Sequence, residues 1–287
     1  MSRKTRGNIG VNAILNTIRS CMAVLFPLIT YPYAARVLGV ENLGKVNYGY
    51  SIMTYFSLLA ALGVSTYAVR SGSQIRNDKP RLTAFSNQVF TINLYATVLA
   101  YALMTAAVSF VPKFRPYRAI ILIEGIGFIC TTFNVDWVNT IFEDYFIVTV
   151  RTLITYAIGL VLLFVFVRQS SDYYKYVVIQ VLPMIVAAAL NWWYCRRYVR
   201  LHAVRNVHLS EHLKPLLIFF VNAVAIQVYV NIDTTMLGWM KGDYYVGIYS
   251  VSVKIYTVIK GVLLSIYSVT IPRLSNYFGD GDRASYK

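Results

Sequence analysis

Asn12, Asn16 and Arg19 interrupt the first apolar run of the chain at i, i+4 and i+7, so they share one face of a helix. A guanidinium near the middle of a membrane span costs about 2.5–3.5 kcal/mol on insertion scales, so that face must meet water, a partner group or other helices rather than acyl chains. Two readings satisfy this: a cationic cavity wall, or a stripe of interhelical hydrogen bonds. Lys254 and Lys260 raise the same question near the other end. Six residues turn a helix by about 240°, leaving the two about 120° apart, so both need not face one hollow. A lumen-facing role, snorkelling and pairing with acids all remain open for them. Asn222, Gln227, Asn231 and Asp233 lie in the apolar run just before. Gln227 and Asn231 share a face, and this group reads either as cavity lining or as part of a structural ion pair.

A second constellation falls in NVDWVNTIFEDYFIVTVR (134–151). Asp136, Asn139 and Glu143 stand at i, i+3 and i+7, and Arg151 opens the helix that returns. An Asp136–Arg151 or Glu143–Arg151 pair fits the geometry, as a structural clamp or as a gate. Glu124 lies seven residues into the preceding apolar run, where a carboxyl could carry a proton. His202, His208 and His212 sit in one basic loop, without the pattern of a zinc motif, and read as solvated. No nucleophile–base set and no phosphate-cradling Gly-Lys-Ser/Thr loop is present, so the chain reads as a non-enzyme without metal or cofactor. Cys21, Cys130 and Cys195 are widely spaced and read as small buried hydrophobes.

The elements that carry these residues follow from composition. Of 287 residues, 57% are hydrophobic and 14% charged, against about 25% charged in an ordinary soluble domain. The solvent is therefore lipid. Lys and Arg outnumber Asp and Glu by 27 to 12. They fall mostly between apolar runs, as membrane flanks do, rather than on one nucleic-acid-binding face. Runs long enough to cross occur at roughly 9–31, 46–69, 84–111, 117–139, 146–168, 174–195, 215–240 and 244–271, which predicts an all-α integral membrane protein of about eight helices. A cytoplasmic N-terminus gives the inner side about twice the basic residues of the outer side. The basic head before the first run lacks a small-residue cleavage site, so that run reads as a retained span.

LITYPYAARVLGVENLGKVNYGYSIMTY (28–55) has a weak echo in YVNIDTTMLGWMKGDYYVGIYSVSVKIY (229–256). Each runs from an apolar span through Leu-Gly, a short polar turn and a further glycine into a span containing Tyr and Ser. If the echo marks a repeat, a six-helix lobe (1–200) precedes the start of a second (201–287). The second then stops after two helices, and the chain reads as an incomplete copy of a longer transporter.

FPLITYPYAARVLGVENLG (26–44), LGVSTYAVRSGSQIR (62–76), the 134–151 stretch, NIDTTMLGWMKGDYYVGIYSVSVKIY (231–256) and SVTIPRLS (268–275) are together similar to the O-antigen-type polysaccharide flippases of the MOP exporter superfamily. Ser71 stands where that family often has an acid after Arg, and Ile141-Phe142 where it often has glycine. The resemblance implies translocation of undecaprenyl-pyrophosphate-linked oligosaccharide across the bacterial inner membrane, by alternating access between two lobes. It also implies membrane lipids, a polysaccharide polymerase and a chain-length regulator as partners. On that basis Arg19, Arg36, Lys254 and Lys260 form a cationic substrate site. Asn12, Asn16, Gln227, Asn231 and Asp233 form a polar lining, and Asp136, Glu143 and Arg151 a gate. Pro32 is expected to end the first span, with Gly39 and Gly44 permitting the reversal. A multidrug cation antiporter of the same superfamily and a non-transporting component of a glycan assembly complex remain alternatives.

Overall fold

The computed structural model describes the backbone of residues 9–279 and the side chains of residues 21–22 and 25–261. All regular structure among the described residues is helical: α1 (Ile9–Ala61), α2 (Val64–Gln74), α3 (Lys79–Phe110), α4 (Arg118–Asn134), α5 (Asp136–Ile141), α6 (Tyr145–Phe166), α7 (Tyr173–Cys195), α8 (Leu209–Met240) and α9 (Asp243–Gly279). Short 3-10 turns at Pro112–Tyr117 and Ser170–Asp172 join α3 to α4 and α6 to α7.

Drawn straight, the 53 residues of α1 would run about 80 Å, far beyond a hydrocarbon layer of about 30 Å. The helix instead folds back at Gly39, whose φ of 77° and ψ of 165° leave the helical region. Asn47 Nδ2 donates to Tyr31 Oη at 3.2 Å although sixteen residues separate them. Only an antiparallel hairpin centred on Gly39 allows that contact. Glycine is needed here because a Cβ disfavours positive φ. Two expectations are corrected at this corner. Pro27 and Pro32 both sit inside the first arm, so Pro32 does not end it; a proline is tolerated within a membrane helix when neighbouring groups satisfy the freed carbonyl. Gly44 is helical and takes no part in the reversal; its role is close approach.

That approach joins the hairpin to α9. A Cβ on Gly44 would lie 1.8 Å from the Asp243 carbonyl oxygen, and one on Gly247 would lie 2.1 Å from that of Val40. One glycine from each half of the sequence echo thus lets two backbones touch, as small residues do at membrane helix crossings. Beside this crossing, Tyr117 Oη donates to Asp243 Oδ1 at 2.6 Å, and Asn42 Nδ2 to the Ser170 carbonyl at 2.9 Å.

α1, α3, α4, α6 and α7 pack into one bundle, with α4 laid along α7. Its apolar core falls into three clusters: around Tyr31, Leu38 and Val177, around Tyr48, Met104 and Phe128, and around Tyr67, Phe90, Trp137 and Leu216. Tyr95, Val98, Leu99, Val161 and Val221 point outward, an apolar exterior suited to lipid. Six helical stretches among the described residues are long and apolar enough to cross a membrane: Leu25–Gln74, Lys79–Phe110, Pro112–Ile141, Tyr145–Phe166, Ser170–Cys195 and Leu209–Met240. The first holds the runs expected at 46–69 and at the end of 9–31; the run expected at 244–271 lies in α9, partly outside the described side chains.

Gly44→Ala should lower thermal stability in detergent by about 1–3 kcal/mol, the usual range for overpacking a closed contact. Gly127→Ala, whose Cβ would meet only the flexible Met184 Sδ at 3.3 Å, should leave the transition nearly unmoved.

Candidate functional site

Helix α4 breaks at Val135, which takes φ 41° and ψ 39°, a conformation rare for a β-branched residue. A break inside an apolar stretch long enough to cross a membrane, Pro112–Ile141, frees backbone groups that lipid cannot satisfy, so side chains have to do it. Asn191 of α7 supplies the partner: its Nδ2 donates to the Asn134 carbonyl and, at 3.3 Å, to Asp136 Oδ1. Its Oδ1 accepts from Asn139 Nδ2 at 2.6 Å. Asn134 Nδ2 donates to Asp136 Oδ2 at 2.6 Å, and Cys195 Sγ to Asn139 Oδ1 at 3.4 Å. Arg151 Nη2 bonds Asp136 Oδ1 at 2.5 Å, with the Arg151 side chain 5% exposed. Arg151 Nη1 is buried and has no partner among the described residues.

The turn after α5 continues this polar knot. Glu143 adopts φ 57°, while Asp144 N–H donates to the Asn139 carbonyl and Glu143 N–H to that of Thr140. This is the Schellman arrangement, with glutamate at the left-handed position that glycine usually fills. The Glu143 carboxylate reaches Arg76 Nη1 at 2.8 Å, between side chains 59% and 37% exposed. Asp144 Oδ2 accepts from Tyr194 and Tyr198, both at 2.6 Å, with Arg197 Nη2 at 3.5 Å. Burial and the neighbouring Asp144 push the Tyr198 phenol up to about 12, so it remains a donor across physiological pH.

The expected cationic residues fare unevenly. Lys254 is half-buried, its Nζ 5.4 Å from the centre of the Tyr31 ring where α9 crosses α1, without a carboxylate partner among the described residues. Lys260 is exposed and lies 5.9 Å from the Tyr256 ring on its own helix. Arg36 is exposed. The side chains of Asn12, Asn16 and Arg19 lie outside the described residues. Of the polar lining, Asn231 Nδ2 donates to the Gln227 carbonyl one turn back, and exposed Asp233 accepts from Tyr249 of α9 at 2.8 Å. None of these residues lines the pocket of about 680 Å³ at the end of α7. Glu124 is 3% exposed, and its Oε1 has no partner among the described residues.

Sequence reasoning missed the contacts that seat α8. Only His212, Leu216 and Gly238 of this 32-residue helix are buried, two near its start and one near its end. Near the end, Thr235 Oγ1 meets Tyr55 Oη at 3.0 Å and Ser51 Oγ at 3.2 Å, and a Cβ on Gly238 would strike the Tyr48 ring. The Tyr and Ser of the echoed span were the only signal for these. Near the start, His212 is 5% exposed, which corrects the expectation of a solvated residue for this histidine, whereas His202 and His208 are exposed. Gln88 Oε1 lies 3.2 Å from its Nε2 and can only accept, so Nδ1, 2.7 Å from Tyr67 Oη, takes that hydroxyl's proton as an acceptor. The exposed His202 bonds Asn87 differently: its backbone N–H donates to Asn87 Oδ1 at 3.1 Å, and Asn87 Nδ2 donates to its Nδ1 at 3.2 Å. Cys130 and Cys195 are buried as expected, whereas Cys21 is exposed.

A family model described as "Polysaccharide biosynthesis protein" matches residues 9–278. The chain belongs to that family. Among curated relatives of this polysaccharide biosynthesis protein, two are named "Putative O-antigen transporter". The one from Shigella dysenteriae is 22% identical over 89% of this chain and 64% of its own length. The one from Escherichia coli K12 is 24% identical over 88% of this chain and 61% of its own. The chain thus spans a little under two thirds of either relative. A solved MATE multidrug transporter, DinF-BH in complex with R6G, superposes with a TM-score of 0.59 at 14% identity, over 93% of this chain and 66% of that one. A solved chain recorded as "protein A" reaches 0.62 at 16% identity, over 96% and 68%. At such identities the two solved structures establish the fold alone. The family member described here is therefore a multi-pass helical membrane protein with a MATE-like transporter fold.

Arg151→Ala would leave the Asp136 carboxylate without its cation beside an open backbone break. With the Asp136 side chain 44% exposed, it should cost about 1–3 kcal/mol, against less than about 1 kcal/mol for Arg76→Ala at the exposed pair. Thermal unfolding of the purified variants in detergent checks the contrast.

Proposed function

We propose that this chain carries out, in a bacterial inner membrane with its N-terminus in the cytoplasm, the flipping of undecaprenyl-pyrophosphate-linked oligosaccharide units for O-antigen, capsule or exopolysaccharide synthesis. The family match and the relatives' names support a transporter in polysaccharide synthesis. The observation that carries the finer reading is Lys254: a half-buried ammonium against the Tyr31 ring, where α9 meets α1, with no carboxylate to neutralise it among the described residues. A pyrophosphate leaving water needs such a cation, because desolvating its charge is costly unless the charge is paired. A cationic drug would be repelled there. In this reading residues 1–200 form one lobe and α8 and α9 begin the other. Lys254, Lys260, Arg36 and Arg19 contribute positive charge along the route, and the Gly44–Gly247 crossing parts when the outer side opens. Gln227, Asn231, Asp233, Asn12 and Asn16 contribute hydrogen bonds to sugars, and the Asp136–Arg151 clamp and Glu143 act at the inner mouth. A polymerase and a chain-length regulator would receive the exported unit.

Removing a charge-assisted contact of about 1.5–3 kcal/mol corresponds to a tenfold or larger loss. Lys254→Ala, at wild-type membrane level, should therefore reduce export of the lipid-linked sugar at least tenfold, with Lys254→Arg retaining most of it. Wild-type export by Lys254→Ala would remove the basis of this reading.

A further inference from the structure

At the end of α7 the chain curls on itself. Tyr198 and Val199 N–H groups both donate to the Cys195 carbonyl, and Arg197 N–H to that of Tyr194. Val199 is thereby folded into the core at 3% exposure, and the side chains on either side of it surround a pocket of about 680 Å³. That volume lies within the range of small-molecule sites. The lining combines two tryptophans, Trp192 and Trp193, with three arginines, Arg196, Arg197 and Arg200.

The walls differ in kind. Trp192 is fixed by ring contacts to Phe90 and Phe133, with centroids 5.2 and 5.5 Å away. Trp193 is 73% exposed and faces outward. Arg197 is held by Asp144 and stacked on Tyr194 and Tyr198, 4.3 and 4.8 Å from the ring centres. These three residues all meet Asp144 at its Oδ2 oxygen. Arg196 and Arg200 are exposed and form no ion pair among the described residues. The pocket thus has a pre-formed aromatic wall and two guanidinium groups whose donors are uncommitted. Its depth is set by α7, whose 23 residues span about 34 Å, so the helix end falls at the level of lipid headgroups, where tryptophan and arginine both partition.

We propose that this pocket is a binding site for the phosphate of an anionic glycerophospholipid, with Arg196 and Arg200 on the phosphate and Trp193 against the glycerol and upper acyl chain. A planar guanidinium can grip two phosphate oxygens at once, and basic pockets beside membrane helices suit such headgroups. The site lies at the C-terminal end of α7, lined by none of the residues where Lys254 meets Tyr31, and does not depend on the flippase reading.

Native mass spectrometry of the full chain, released from micelles doped with equal phosphatidylglycerol and phosphatidylcholine, tests it. The wild type should retain phosphatidylglycerol about tenfold over phosphatidylcholine, and the Arg196→Gln/Arg200→Gln double variant should lose that preference while keeping its helical circular dichroism. Should the double variant fail to fold, the single Arg200→Gln variant, altered only in the exposed loop, should show a several-fold drop. Equal retention of the two lipids by the wild type, or an unchanged preference in the variants, overturns the proposal. So does displacement of phosphatidylglycerol by an equimolar amount of undecaprenyl diphosphate, since the pocket would then belong to a diphosphate lipid.

Discussion

A backbone in hydrocarbon cannot leave its amides and carbonyls unpaired, and this chain meets that constraint at a place where it has broken its own helix. The left-handed Val135 interrupts α4, and the side chain of Asn191, reaching over from α7, occupies the exposed Asn134 carbonyl. Asp136, Asn139 and Arg151 then follow as consequences, since each either holds the asparagine or balances its neighbour. The knot ties α4, α5, α6 and α7 together. It adds to the apolar packing of α4 on α7 a set of directional bonds that holds one relative rotation.

The rest of the architecture is a matter of how closely backbones approach. Gly44 and Gly247 bring the α1 hairpin and α9 into direct contact, and Gly238 gives Tyr48 room beside α8. α8 is seated at both ends by specific polar pairs and is largely bare between them.

Much of this was legible in the residues. Composition alone required lipid as the solvent, and the alternation of apolar runs with basic connectors marked most helices within a few residues. The Leu38-Gly39 step announced the reversal, because few residues other than glycine accept that φ. Pro32 misled, since a proline stops a helix in water more reliably than within a membrane bundle. Asp136 and Arg151 could be paired by depth alone, each lying a similar distance from the intervening turn. Asn191 could not, because its role depends on α7 lying across a break that nothing local predicts. His212 looked solvated among basic residues, yet the start of α8 carries it beneath Tyr67 and Gln88. Whether charged side chains converge is a question of helix rotation, and periodicity within one segment does not contain it.

Cys195 sits inside the knot, its thiol against Asn139, while Cys21 is exposed and Cys130 is buried elsewhere in the bundle. Alkylation by a membrane-permeant maleimide would therefore run on separate clocks. Cys21, exposed on a span that runs in lipid, is reached only through the bilayer, whereas Cys195 would react only as often as the packing around the Asn139–Asn191 pair opens. The protein thus carries a built-in chemical reporter for the opening of its own helix break, readable without introducing any label site.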